Sequence, residues 1–444
     1  MQEQAKPYTF FSAFVAALGA FSFGFQTAVI SGVLPFATKE FLLVNTKQGF
    51  LVSSILMGAI IGVFLCGYIS DTLGRKRSLQ LQALLFIAGT IICFTSSSFF
   101  LLVIGRVISG LALGLASALV PLYLSEISPA SCRGRMVALN QLFLSLGVLA
   151  AYTVNYLLTD MGSWRGMIAA GLAPCLLQLF LLFFMEESPF WLLSKGCKQK
   201  AINVFQKLRR DTLWLESIDQ VQGVDPAKKQ VSLFKVIQNK KILLAIILGV
   251  VLNMFQQITG INAVLFYSPK IFSNMGFSSL KDTIEASIGI GVINLVCTLV
   301  AALIIDKAGR RKLLIASLCG MFFFLQLMIV SLYFFSSKGS VISLSCILGY
   351  VGFFAIGLGP VCFILISEMY PLAIRGRAMS IAIFSNWSFN YLVSFSFPLL
   401  VDLIGVAGVF QLFAVLIIVA LFFVYRFLPE TKGKSLTQIE SELQ

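Results

Sequence analysis

The sequence predicts an all-α integral membrane protein, with twelve transmembrane helices in two six-helix halves. Three observations lead there: a composition suited to lipid, twelve apolar stretches of spanning length, and charged motifs that occur twice. Of 444 residues, 58% are hydrophobic and 12% charged. Soluble domains are about 45–50% apolar and about 25% charged. A water-soluble fold of this make-up lacks the polar side chains to cover its surface. A cytosolic enzyme, a secreted domain and a nucleic-acid binder are therefore set aside. The net charge of +14 is assigned to basic loops on one membrane face.

The apolar stretches fall at roughly 8–34, 48–70, 78–98, 101–127, 136–158 and 165–185. They resume at 242–270, 283–305, 313–335, 341–367, 378–401 and 406–428. A bilayer core of about 30 Å takes about 20 apolar residues per helix, so each stretch is long enough. Backbone groups in lipid must be satisfied internally, which makes these stretches helices. The domains expected are an N-terminal bundle over 1–185, a cytoplasmic linker with short helices over 186–241, and a C-terminal bundle with a short tail over 242–444. Amphipathic pieces at 198–209 and 232–240 are the candidates for linker helices. With both termini inside, twenty-six of the 33 Lys and Arg lie in inner segments and six in outer ones. Basic residues concentrate on the cytoplasmic side, so both ends are expected there.

Nine Cys are scattered without a CxxC, and the chain has no His. No metal site, disulfide or cofactor is expected. The first apolar stretch lacks an A-x-A cleavage site and reads as a retained helix.

The repeat is the most informative feature. Asp71-Thr-Leu-Gly74-Arg75-Lys76-Arg77 between the second and third spans corresponds to Asp306-Lys-Ala-Gly309-Arg310-Arg311-Lys312 between the eighth and ninth. Glu126-Ile-Ser-Pro129 with Arg133 and Arg135 corresponds to Glu368-Met-Tyr-Pro371 with Arg375 and Arg377. Glu187 after the sixth span corresponds to Glu430 after the twelfth. The acidic residues of the pairs lie 235–243 residues apart. Each acid sits at a helix end within reach of Arg from a neighbouring loop, so Asp71, Glu126, Glu187, Asp306, Glu368 and Glu430 with Arg75, Arg133, Arg135, Arg310, Arg375 and Arg377 are expected to latch helices together at a cytoplasmic gate. Basic loops alone would explain the Arg residues but not acids at fixed spacing.

On these residues the chain resembles the sugar porter family of the major facilitator superfamily. Gly105-Arg106-Val-Ile-Ser-Gly110, Glu187-Ser-Pro189-Phe190-Trp191-Leu192, Gln256-Gln257-Ile-Thr-Gly260-Ile261-Asn262 and Pro429-Glu430-Thr431-Lys432-Gly433 carry the resemblance over almost the whole chain. It implies two bundles that rock around a central site and expose it alternately to either side.

The polar residues at mid-depth are Gln141, Gln256, Gln257, Asn262, Asn294, Asn386 and Trp387. The resemblance implies that they bind a sugar, since amides offer donors and acceptors to hydroxyls and an indole can cover a C–H face. Interhelical hydrogen bonding is the alternative role for such amides. Gln257 and Asn262 would lie about 140° apart on an ideal helix. A helix break at Thr259-Gly260 is therefore expected. Phe23 and Phe266 are candidates for the cavity wall. The family often has Trp where Phe363 stands.

The acids fall in loops or near helix ends. Proton-coupled members of the family carry an Asp in the first helix where this chain has Gln26. Arg106 lies at similar depth and needs a partner, which Gln26 and backbone carbonyls could supply. The expected function is facilitated diffusion of a neutral monosaccharide, hexose or pentose. Proton–sugar symport through another acid, such as Glu285 or Asp402, is the alternative, and a non-transporting sugar sensor the second alternative. The expected partners are a neutral sugar and the bilayer, with protons only in the symport reading. The chain is expected to work as a monomer in a bacterial inner membrane, and to be no enzyme.

Overall fold

The computed structural model describes residues 6–129, 132–208, 240–334, 339–370 and 375–432. The first six spans are Pro7–Ala28 with Ile30–Phe41, Asn45–Leu73, Arg75–Phe94, Phe99–Ile127, Arg133–Thr159, and Trp164–Ala169 with Leu172–Leu182. The next four are Lys240–Ile258 with Ile261–Asn274, Leu280–Ala308, Arg310–Phe334, and Gly339–Ile356 with Leu358–Met369. The last helix, Arg375–Phe427, has 53 residues. A straight helix of that length would reach about 80 Å, far beyond one bilayer crossing. Gly405, at φ 71° and ψ 169°, divides it into the eleventh and twelfth spans, in a conformation open to glycine and costly for other residues.

Several ends are fixed by side chains. Ser98, Ser188 and Ser279 each accept a hydrogen bond from the backbone N–H three residues on, so each satisfies one of the helix's orphan donors. Pro189–Ser194 and Lys198–Leu208 are two short helices that follow the sixth span. In the second of them Ala201, Val204, Phe205 and Leu208 are buried, a spacing that lays one helical face on the protein. The 232–240 candidate lies almost wholly outside the described residues, with Lys240 opening the seventh span.

Two compact units emerge from the packing. One is drawn from Met1–Thr27, Ser54–Ala151 and Arg165–Gln230, the other from Ala28–Ser53, Tyr152–Trp164 and Val231–Gln444. In the first, Gly58 and Gly62 of the second span face Gly110 and Gly114 of the fourth. A Cβ at any of the four would fall 2.0–2.3 Å from a backbone oxygen across the crossing, the close approach that small residues allow in membranes.

The second unit takes in the ends of the first, second and fifth spans remote from the basic face. Asn155 donates to the Val29 carbonyl at 3.3 Å, and the Trp164 indole to Glu40 at 2.7 Å. Tyr152 donates to the Leu265 carbonyl at 2.8 Å. Lys270 donates to Asn45 Oδ1 at 2.8 Å and Gln48 Oε1 at 3.1 Å, and Asn45 in turn donates to Asp402. The exposed surface is apolar over the spans: Phe64 is 84% exposed, Phe334 78% and Leu303 73%. Such a surface suits a lipid surround.

Candidate functional site

The seventh span breaks at Gly260, whose φ of 94° stops the helix, and restarts at Ile261. The tenth span breaks at Gly357, with φ −123° and ψ −78°. Gln256 joins the two breaks. Its Nε2 donates to the Leu358 carbonyl at 3.1 Å and the Gly359 carbonyl at 2.7 Å. Its Oε1 accepts from Gln257 Nε2 at 3.4 Å and Asn386 Nδ2 at 2.5 Å. Gln257 Nε2 also donates to Asn386 Oδ1 at 3.1 Å, and Asn262 Nδ2 donates to Gln257 Oε1 at 2.6 Å. The expected break thus lets Gln257 and Asn262 meet across what a continuous helix would hold apart.

A carboxamide has two donor hydrogens and about two acceptor sites. Gln256 uses all four, so it acts as the scaffold of the cluster. Bonding capacity remains on Gln257 Oε1, on Asn386 Oδ1, and on both ends of the Asn262 amide. Gln256, Gln257, Asn386 and Trp387 are buried, while Asn262 is only half-buried. Asn262 is therefore the accessible end.

Sequence reasoning missed Asn253. Its Oδ1 and backbone carbonyl each lie 3.3 Å from Asn386 Nδ2, and its own Nδ2 donates to the Gly249 carbonyl. The available signal was spacing, since Asn253 is one turn before Gln256 on the same helical face. Asn294 lies half-buried on the eighth span, where its carbonyl accepts from Thr298. Gln141 is exposed and belongs to the first unit. Phe266 is 1% exposed, which makes it a packing residue where a cavity wall was expected. Phe363 is exposed and Phe23 half-buried.

In the first unit Arg106 is 2% exposed. Its Nη1 donates to the Gln26 carbonyl at 2.8 Å. The Gln26 amide turns elsewhere, donating to Thr90 Oγ1 at 2.6 Å. The expected solvation of Arg106 thus comes from the Gln26 backbone.

At the basic face the two halves carry matching clusters. Arg75 grips Glu126 through Nε and Nη2 at 3.0–3.2 Å and reaches Asp71 at 3.2 Å. Arg310 grips Glu368 through Nε and Nη2 at 3.2 and 3.0 Å. Glu187 and Glu430 were expected to face Arg side chains. They instead cap helices. Glu187 accepts from the backbone N–H of Arg75 at 2.7 Å and of Lys76 at 3.1 Å. Glu430 accepts from those of Arg310 at 2.9 Å and Arg311 at 3.2 Å. A carboxylate at a helix N-terminus satisfies orphan donors and the helix dipole together.

The two caps differ electrostatically. Burial pushes the Glu187 carboxyl above its ordinary value, outweighing the hydrogen bonds from Ser188, Lys76 and Arg75 and the charge of Arg75. Burial also raises Glu430, but four backbone N–H groups, of Lys432, Arg310, Arg311 and Thr431, outweigh it and hold that carboxyl below its ordinary value. Arg135 is exposed. The side chains of Arg133, Asp306, Arg375 and Arg377 lie outside the described residues.

Matched sets of membrane-spanning helices, with irregular backbone at the breaks of the seventh and tenth spans, have the form of a multi-pass membrane transport protein. The chain matches the family described as Sugar (and other) transporter over residues 12–443 and belongs to it. It is 38% identical over 431 residues to the glucose transporter GlcP of Staphylococcus epidermidis, covering 97% of this chain and 96% of that one. It is 35% identical over 478 residues to the D-xylose-proton symporter of Escherichia coli K12, covering 98% and 95%. The inward open structure of the xylose transporter XylE from E. coli superposes with a TM-score of 0.84 at 32% identity, covering 98% of this chain and 100% of that one.

Proposed function

We propose that this chain carries a neutral monosaccharide across the membrane by facilitated diffusion. The observation that carries the reading is the carboxamide cluster at the two helix breaks, whose unused capacity on Gln257, Asn262 and Asn386 suits hydroxyl groups. Asn294 and Trp387 complete the proposed substrate site, with Gln256 as its frame. The proposed domains are the bundles 1–185 and 242–444 with the linker 186–241, and the site opens alternately to either side of the membrane. The Arg75 and Arg310 clusters hold helices at a cytoplasmic gate. The carrier works as a monomer in a bacterial inner membrane with both termini inside.

Passive flux follows from Gln26. A carboxamide neither takes up nor releases a proton in the physiological range, so the cargo moves without a driving ion. Labelled glucose, xylose, galactose and fructose, offered to proteoliposomes with and without an imposed pH gradient, test this. Uptake of one or more of them that ignores the gradient is expected. Accumulation driven by the gradient, or sugar-dependent alkalinisation of the medium, overturns it.

Symport is the second reading, favoured by relatives named as proton symporters. Glu285 is its candidate carrier. It is exposed, in a shallow open depression with Tyr156, Ile288, Gly289, Val292, Ile293 and Leu348. Under that reading Glu285→Gln abolishes accumulation and spares counterflow.

A further inference from the structure

Arg106 is a full positive charge at 2% exposure, about 10 Å along the fourth span from its first residue Phe99. A charge so placed requires compensation. What the described residues give it is partial. The Gln26 carbonyl, in the last turn of Pro7–Ala28, accepts from Nη1. A helix C-terminus carries about half an elementary charge. No carboxylate among the described residues pairs with Arg106.

The two remaining nitrogens are informative. Nε and Nη2 are both buried without a hydrogen-bond partner. They form one edge of the guanidinium, where two parallel N–H groups present a fork to a single acceptor. The neutral amide of Gln26 is committed elsewhere. Gln26 is turned to Thr90, and a Cβ at Gly171 would sit 3.1 Å from its Nε2, so the amide is wedged between the third and sixth spans. Two buried hydroxyls, Thr27 Oγ1 next to Gln26 and Ser109 Oγ one turn beyond Arg106, also lack partners. A hydroxyl can donate to an anion as readily as it accepts.

We infer that the Nε–Nη2 edge of Arg106 binds a small monovalent anion of the halide class. The anion supplies the charge that a carboxylate at position 26 would supply. The site lies wholly within the first unit and does not depend on the identity of the transported substrate.

The test is made on the full-length chain purified in detergent, melted in sodium chloride and in sodium gluconate at equal ionic strength. Chloride is expected to raise the melting temperature saturably, and radiolabelled chloride to bind near one ion per chain. Gln26→Asp should lose both effects, because its carboxylate takes the guanidinium edge, and Arg106→Gln should lose chloride binding. Equal melting in the two salts with no chloride bound means that water serves this edge, and it overturns the inference. Undiminished chloride binding in Gln26→Asp or in Arg106→Gln overturns it as well. If either variant fails to fold, chloride binding by the native chain decides alone.

Discussion

Gly74 and Gly309 hold the same place in the two halves, yet replacing them with Ala should have unequal cost. Both are at positive φ, 90° and 88°, with ψ of 168° and 148°. That region is close to glycine-only, and an Ala in either place carries strain of about 1–3 kcal/mol. The difference lies in what the new methyl meets. At Gly74 it falls 2.3 Å from Glu187 Oε2, and at Gly309 2.9 Å from Glu430 Oε2. The first carboxylate must retreat by roughly 1 Å or more, the second by about half that. A shift of 1 Å takes Glu187 out of hydrogen-bond range of the Arg75 and Lys76 amides, which now lie at 2.7 and 3.1 Å. Losing two hydrogen bonds to a charged acceptor costs about 3 kcal/mol or more. Glu430 can keep most of its contacts. Gly74→Ala should therefore cost about 4–6 kcal/mol and Gly309→Ala about 1–3 kcal/mol. Thermal melting of the two variants in detergent reads this directly, with Gly74→Ala lower by several degrees. Equal melting temperatures, or the reverse order, would refute the reasoning.

The remaining predictions concern the amide cluster and the two caps. Asn262→Ala removes the accessible end of the cluster and one hydrogen bond to Gln257, so sugar affinity should fall about 10-fold or more with a smaller loss of melting temperature than in Gln256→Ala, read by equilibrium binding. Gln256→Ala leaves the Leu358 and Gly359 carbonyls and the Asn386 amide short of a partner. It should lower the melting temperature as well as abolish binding. Glu430 is held below its ordinary value, so its contribution to stability is complete above the unfolded carboxylate pKa and is lost as the pH falls through the lowered native value. Melting between about pH 3 and 5 should flatten in Glu430→Gln. Glu187 is raised, so its contribution is complete below the unfolded pKa and is lost as the pH rises through the native value. Glu187→Gln should remove that decline, and a decline of equal slope in the variant contradicts the assignment.

Much of the architecture was legible because lipid imposes a coarse rule, that long apolar runs become helices. The repeat was legible because Gly74-Arg75 and Gly309-Arg310 mark the same bend in each half. Thr259-Gly260 announced its own break. The partners of Glu187 and Glu430 were hidden, since the donors to these carboxylates are backbone N–H groups, which every residue type but proline possesses. Gln256 was hidden for the same reason: its donors end on backbone carbonyls 102 and 103 residues away. Nor could residue patterns reveal that the ends of the first, second and fifth spans pack into the second unit, because that depends on distances between helices.

The fixed engagement of Gln256 has a consequence for the polarity of the whole cluster. A backbone carbonyl cannot reverse its polarity. With its nitrogen anchored there, Gln256 must present oxygen inward, and Gln257, Asn386 and Asn262 fall into one head-to-tail sequence of dipoles. The wall they form asks mainly for hydrogens from its guest. A methyl ether in place of a hydroxyl brings only lone pairs to that wall, and would be turned away for its electronics before its bulk mattered.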